Sequence, residues 1–279
     1  INNADHLTLL PQLLDKHLVI MIKGLPTAVT REQQIHLARA FGEPTLAHPV
    51  VPGGDNVFLE IYEIDGENGG KNAIWHTDVT FLEAPHSVSV LVADEVPAAG
   101  GDTLWADLRT AYAKMNRHIK PMLANLEAVH KVSPLAYWGE PFDYLSHTKN
   151  AEIVSLYEKT TNLEAVIHPV IRIHPRTREP GLFVNPGFTS HIHNLTNIES
   201  SNLLTLIYEH MTQPEFILRH KWDKNDIVIW DNMCTAHYAI NDYDLAPRKM
   251  RRVTVKGDIP FGYNSLKSET TTDLLKIIR

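Results

Sequence analysis

The run of residues with the most chemistry in it is Trp75-His76-Thr77-Asp78. On an extended chain, side chains two residues apart share a face, so His76 and Asp78 can offer an imidazole nitrogen and a carboxylate oxygen to one metal ion. A further donor would have to come from elsewhere in the chain. Alone the triplet is weak. A chain with 16 histidines and 16 aspartates holds about one His-x-Asp by chance, and a polar surface strand would carry it equally well.

Three other runs give it company. Ile227–Trp230 reads as a buried strand that leads through a turn at Asp231-Asn232 to His237. Arg248 opens a later strand-like run, and a guanidinium beside a metal can clamp a dicarboxylate through two parallel hydrogen bonds. Gly100-Gly101-Asp102-Thr103 is a turn that delivers a hydroxyl donor. Two His and one carboxylate on one face of an octahedron leave three positions open, the arrangement of non-haem iron(II) oxygenases.

Together these runs resemble the taurine dioxygenase family of iron(II)/α-ketoglutarate-dependent oxygenases. The resemblance is carried by WHTDVTF at 75–81, GGDTLW at 100–105, IWDN at 229–232, Thr235-Ala236-His237-Tyr238 and RKMRRVT at 248–254. It extends from about Phe41 to Phe261. It implies that His76, Asp78 and His237 bind Fe(II) and are the catalytic set. Thr103 and Arg248 would hold the distal carboxylate of α-ketoglutarate. With O₂, such an enzyme hydroxylates the carbon next to a sulfonate or sulfate and releases sulfite or sulfate, succinate and CO₂.

For the small anionic substrate, the resemblance implies a grip by Arg252 and His48. It places Asn72 close by, Phe188 as an aromatic wall and the Val79 backbone N–H as one more donor. Plainer uses exist for each side chain: a salt bridge for Arg252, a loop position for His48, turn chemistry for Asn72 after Gly69-Gly70-Lys71, and core packing for Phe188. Two positions depart from the family. Val51 stands where a Tyr is usual, and Ala136 where a second pocket Phe is usual, with Tyr137 or Trp138 beside it to fill the space. Both departures leave the anion grip intact and keep a longer alkyl sulfonate, an alkyl sulfate ester or an aryloxyalkanoate open beside taurine. A non-catalytic jelly-roll binding protein should have lost a ligand or Arg248, and all are present. A zinc hydrolase would leave Thr103 and Arg248 unexplained.

The elements that must position these residues are short. Ala4–Lys16, Arg31–Phe41 (after Thr30 as N-cap), Leu108–Asn116, Ile119–Leu126 and Ile198–Met211 have helical spacing. Leu18–Ile22, Val57–Ile64, Ser87–Ala93, Val166–Ile173, Leu182–Val184, Ile227–Trp230 and Arg252–Val255 read as strands. Many short strands without βαβ alternation predict a mainly β, jelly-roll core with flanking helices. The resemblance narrows this to a double-stranded β-helix in a single domain over 1–279. Residues 131–165, polar and aromatic, read as an inserted lid.

Composition excludes other classes. The net charge of −7, without a basic run, argues against a nucleic-acid partner. No apolar stretch is long enough for a membrane span. The single Cys234 forbids an intramolecular disulfide and fits a reducing cytoplasm. The chain begins at Ile1, so an N-terminal piece is expected to be missing. Family members commonly associate, so a homo-oligomer is expected, with no interface assigned.

Overall fold

The computed structural model describes residues 4–48, 55, 57–65, 73–132, 163–263 and 269–270. The first helices are α1 (Ala4–His17) and α2 (Arg31–Arg39), with β1 (Val19–Ile22) between them. Then follow β2 (Tyr62–Asp65), β3 (Val88–Glu95), β4 (Thr103–Asp107), α3 (Leu108–Lys114), α4 (Lys120–Leu123) and β5 (Glu127–His130). After these come β6 (Val166–Pro169), β7 (Ile171–Ile173), β8 (Pro180–Leu182), β9 (Thr189–Ile192) and α5 (Asn197–Met211). The chain closes with β10 (Ile217–His220), β11 (Ile227–Asp231), β12 (Thr235–Ala239), β13 (Lys249–Val255) and β14 (Glu269–Thr270).

One sheet has the order β1-β11-β3-β13-β2, and its strands alternate strictly between two cores. Val88, Val90, Val92, Ile227, Ile229, Val253 and Val255 face outward and pack against Leu14 of α1 and Ile35 and Leu37 of α2. Each such burial is worth about 1.5–3 kcal/mol. The residues between them turn inward. Leu91, Ala93, Val228, Trp230 and Met250 meet Trp105 of β4 and Trp222. A second sheet, β10-β4-β12, brings Trp105 across, while β14-β6-β5-β9 and the β7-β8 hairpin complete the strands. All pairs are antiparallel. Facing antiparallel sheets with helices outside agree with the jelly-roll expectation.

Thr30 caps α2 with a full capping box, its hydroxyl on the Gln33 N–H and the Gln33 side chain on the Thr30 N–H. This ties the helix start to the sequence signal that predicted it.

Several expected elements differ. Residues 75–78 form no strand; His76 makes an isolated bridge to His237, and Asp78 opens a turn. The strand expected over Val57–Ile64 starts only at Tyr62, because the Ile61 N–H turns back to the Phe58 carbonyl. Val166–Ile173 breaks at Val170, whose N–H bonds to Leu126. The expected strand Leu182–Val184 ends at Leu182 instead. Most of the expected lid, 133–162, lies outside the described residues. Among the described residues, no helix is long and apolar enough to cross a membrane.

Candidate active site

His237 sits on β12, and the segment carrying His76 is zipped to it. The His76 N–H donates to the His237 carbonyl at 3.0 Å and the His237 N–H returns to the His76 carbonyl at 2.7 Å. The Thr77 hydroxyl adds a bond to the Thr235 carbonyl at 2.8 Å. The two imidazole centroids are thereby held 4.1 Å apart. His76 Nδ1 lies 2.8 Å from the Ile74 carbonyl, so Nδ1 carries the proton and Nε2 keeps its lone pair. Both Nε2 atoms face one carboxylate oxygen, Asp78 Oδ1, at 3.7 Å from His76 and 3.8 Å from His237.

Asp78 is itself fixed on all sides. Its N–H donates to Asn232 Oδ1 at 2.9 Å, and its carbonyl accepts from Asn232 Nδ2 at 3.1 Å. Oδ1 accepts from Arg252 Nη1 at 2.8 Å and Oδ2 from the Ser89 hydroxyl at 3.1 Å. Burial works to raise the Asp78 pKa. The Arg252 guanidinium and the two imidazoles outweigh it and hold the carboxyl well below its usual range. Burial also lowers both imidazole pKa values, His237 to about 3. At neutral pH the cluster therefore presents two neutral imidazoles and a carboxylate, the protonation states a metal ion binds. The three donor atoms lie within 4.8 Å of one another, and all three residues are buried. His237 Nδ1 is a buried atom with no hydrogen-bond partner among the described residues. The donor set fits a divalent transition metal with open positions.

The two residues that the resemblance assigns to the cosubstrate come from different segments, Arg248 from just before β13 and Thr103 from the start of β4. The Gly100-Gly101 turn lies between them in space. A Cβ at Gly100 would lie 2.6 Å from the Asp242 backbone oxygen, and φ is +80° there, so only glycine suits the position. The Arg248 side chain lies along the neighbouring Gly101, with Nε 3.4 Å from its carbonyl. The Tyr243 ring faces the Arg248 guanidinium at 5.8 Å. Thr103 follows at the start of β4, and its hydroxyl accepts from Trp222 Nε1 at 2.9 Å. Simple strand alternation does not relate Arg248 to Arg252. β13 begins after Arg248, and its register shifts between Lys249 and Met250.

Arg252 lies beside the His76–Asp78–His237 cluster, as its contact with Asp78 shows, and its buried Nε has no partner among the described residues. His48 is half-buried, with its ring 5.6 Å from that of Tyr62. Arg252 and His48 are electrostatic neighbours of each other and of Asp78. Phe188 stands edge-on to His76 at 6.0 Å and to Phe81 at 5.1 Å. Val79 is buried with φ +49°, the left-handed region that β-branched residues avoid. Asn72, Val51, Ala136, Tyr137 and Trp138 lie outside the described residues.

Four neighbours were missed by sequence reasoning. Tyr62 is the register partner of Arg252, and its ring lies 5.4 Å from that guanidinium. His86 is buried with Nδ1 unpartnered among the described residues, and its carbonyl accepts from Asn232. Ser89 and Asn232 hold Asp78. Asn232 was visible only as part of a motif. Ser89 had a signal, as a polar residue in the inward phase of a valine-alternating strand.

A second buried cluster, His174, Asp231 and Cys234, also brings three donors together. Its histidine is already committed. Nδ1 accepts from the Thr177 N–H, so Nε2 carries the proton and donates to Asp231 at 3.0 Å. Arg176 stands 3.6 Å from the same carboxylate, and burial pushes the Cys234 thiol pKa up. This is an internal ion-pair cluster that anchors the turn between β11 and β12.

Comparison with known proteins bears on these geometries. Residues 2–254 match the family described as taurine catabolism dioxygenase TauD, TfdA family. An alpha-ketoglutarate-dependent sulfate ester dioxygenase of Pseudomonas putida is 34% identical over 262 residues, covering 92% of this chain and 83% of that protein. An alkylsulfatase of Acinetobacter baylyi is 34% identical over 261 residues, covering 92% and 78%. The crystal structure of a taurine dioxygenase from Burkholderia xenovorans superposes with a TM-score of 0.79 at 31% identity, covering 97% of this chain and 86% of that one.

Proposed function

Because the chain belongs to the taurine catabolism dioxygenase (TauD, TfdA) family and is an α-ketoglutarate-dependent dioxygenase, we propose that it uses Fe(II) and O₂ to hydroxylate the carbon next to a sulfonate or sulfate group of a small alkyl anion. The observation that carries the substrate class is Arg252. It is a buried cation against the ligand cluster, with an Nε–H that no described residue satisfies. A buried, unmatched donor of this kind favours an anionic partner.

His76, Asp78 and His237 are the residues that would hold the metal. Bound there, the metal and its cosubstrate supply O₂ activation and C–H oxidation. The chain's own groups do the rest. Arg248 and the Thr103 hydroxyl grip the distal carboxylate of α-ketoglutarate. Phe188 packs against His76 and keeps that side of the centre dry. Arg252, His48 and the Val79 N–H orient the sulfur oxyanion so that the adjacent carbon faces the metal. A carbon carrying both hydroxyl and sulfate then collapses to an aldehyde and sulfate, while α-ketoglutarate leaves as succinate and CO₂. The two curated relatives above are named for sulfate esters, which supports an alkyl sulfate as strongly as taurine. A cytoplasmic enzyme fits the single, buried Cys234.

The test is anaerobic loading with Fe(II) and α-ketoglutarate, then O₂-dependent succinate release across taurine, longer alkyl sulfonates, alkyl sulfates and aryloxy acids. A visible charge-transfer band with sulfite or sulfate release from one compound supports the reading. A band with only slow, substrate-independent succinate rejects the anion pocket. No band from iron-loaded protein rejects the cosubstrate site.

A further inference from the structure

The two oxygens of the Asp78 carboxylate have different partners. Oδ1 faces both imidazoles and Arg252. Oδ2 takes only the Ser89 hydroxyl, at 3.1 Å, among the described residues. Ser89 is 0% exposed and lies on β3, where Val88 and Val90 on either side turn out to the helices. Its inward companions on the strand, Leu91 and Ala93, are apolar and pack into the core with the tryptophans. A hydroxyl buried in such a row is costly without a partner, and Asp78 is its partner.

We propose that Ser89 is a positioning residue for the metal centre. Its hydrogen bond to Oδ2 holds the Asp78 carboxylate in the one rotation that turns Oδ1 towards His76 and His237. The inference rests on the metal-site reading above and adds a residue to it. Asn232 fixes only the Asp78 backbone. The carboxylate itself is held by Arg252 on Oδ1 and by Ser89 on Oδ2, and Ser89 is the described side chain that holds the second oxygen. Partners of ligating carboxylates typically contribute about 10- to 100-fold in metal affinity.

The experiment measures Mn(II) affinity by anaerobic calorimetry on chelator-treated protein, for the native chain, Ser89→Ala, Ser89→Thr and His237→Ala, with thermal melts of each metal-free protein. Ser89→Ala should bind Mn(II) about 10- to 100-fold more weakly while still melting cooperatively, and Ser89→Thr, which keeps the hydroxyl, should recover most of the loss. Unchanged affinity in Ser89→Ala overturns the proposal. So does an equal loss in Ser89→Thr, which would make side-chain volume the cause. His237→Ala separates the two readings. If it binds Mn(II) as well as the native chain does, the metal site itself is wrong. If it loses binding and Ser89→Ala does not, Ser89 alone is wrong.

Discussion

Arg252 and Asp78 meet through the same carboxylate oxygen that faces both imidazoles, Nη1 to Oδ1 at 2.8 Å. The Tyr62 ring covers the guanidinium at 5.4 Å, so the cation is held between an aromatic face and an acid. An anion bound beside the ligand cluster would meet a charge already in place. Arg252→Ala should therefore raise the KM of the sulfur-oxyanion substrate by about 10- to 100-fold, the worth of a hydrogen bond to a charged group. The KM for α-ketoglutarate should move far less. Steady-state kinetics with each compound varied separately decides it, and equal damage to both constants would assign Arg252 to the cosubstrate or to the fold.

Arg248 should behave in the opposite way. It packs on Gly101, in the turn that leads into Thr103, and faces Tyr243. Arg248→Ala should raise the KM for α-ketoglutarate by about 10- to 100-fold and leave the affinity for the sulfur oxyanion close to native. Arg248→Lys should recover only part of the loss, since an ammonium cannot form two parallel bonds to a carboxylate. Succinate release at varied α-ketoglutarate gives the answer.

β3, β11 and β13 were legible as strands because β-branched and apolar residues crowd them, although which face of each strand turns inward was not read. The helices were legible to within a few residues from the helical spacing of their apolar residues. β12, Thr235–Ala239, was not. It holds His237, a threonine and a tyrosine, and so has no apolar rhythm. His76 and Asp78 were singled out by residue type and spacing, and His237 by the family resemblance, but the premise for the first two was wrong. His76 and Asp78 do not share a strand face; a single bridge to His237 and a turn bring them together. Long-range pairings such as Ser89 with Asp78, or Tyr62 with Arg252, are set by sheet register, which one sequence does not display.

Acid should destabilise the metal-free fold through buried histidines away from the ligand set. His168 Nε2 lies 2.8 Å from the Thr80 carbonyl and 3.1 Å from that of Leu82. Burial lowers its pKa to about 3, although these hydrogen bonds work to raise it. His130, its T-shaped neighbour at 5.0 Å, is shifted the same way by burial. Below pH ~6.5 the unfolded chain takes up a proton that folded His168 refuses until about pH 3, so stability is flat above pH ~6.5 and falls as pH drops through that window. The slope is at most about 1.4 kcal/mol per pH unit for one histidine. Urea denaturation at pH 8, 6.5 and 5 should show most of the loss between the last two. In His168→Gln, whose amide nitrogen replaces Nε2 as donor, that loss should be smaller. An identical slope in both proteins would remove His168 as a contributor.

Val79 sets two opposing energies against each other. Its φ of +49° costs a β-branched residue about 1–2 kcal/mol, and glycine would relieve that strain. Its side chain is only 1% exposed and packs with Phe81, Val132 and Phe188, a burial worth about 1.5–3 kcal/mol. Glycine also costs about 0.5–1 kcal/mol in backbone entropy. The packing and entropy together exceed the strain, so Val79→Gly should destabilise the protein by about 1–2 kcal/mol, read as a lower denaturation midpoint. The glycine keeps the same backbone N–H next to Asp78. If that N–H is what the substrate anion uses, its KM should suffer less than the fold does. A variant more stable than the native chain would mean that the strain is the larger energy and that the valine is kept for its position in the site.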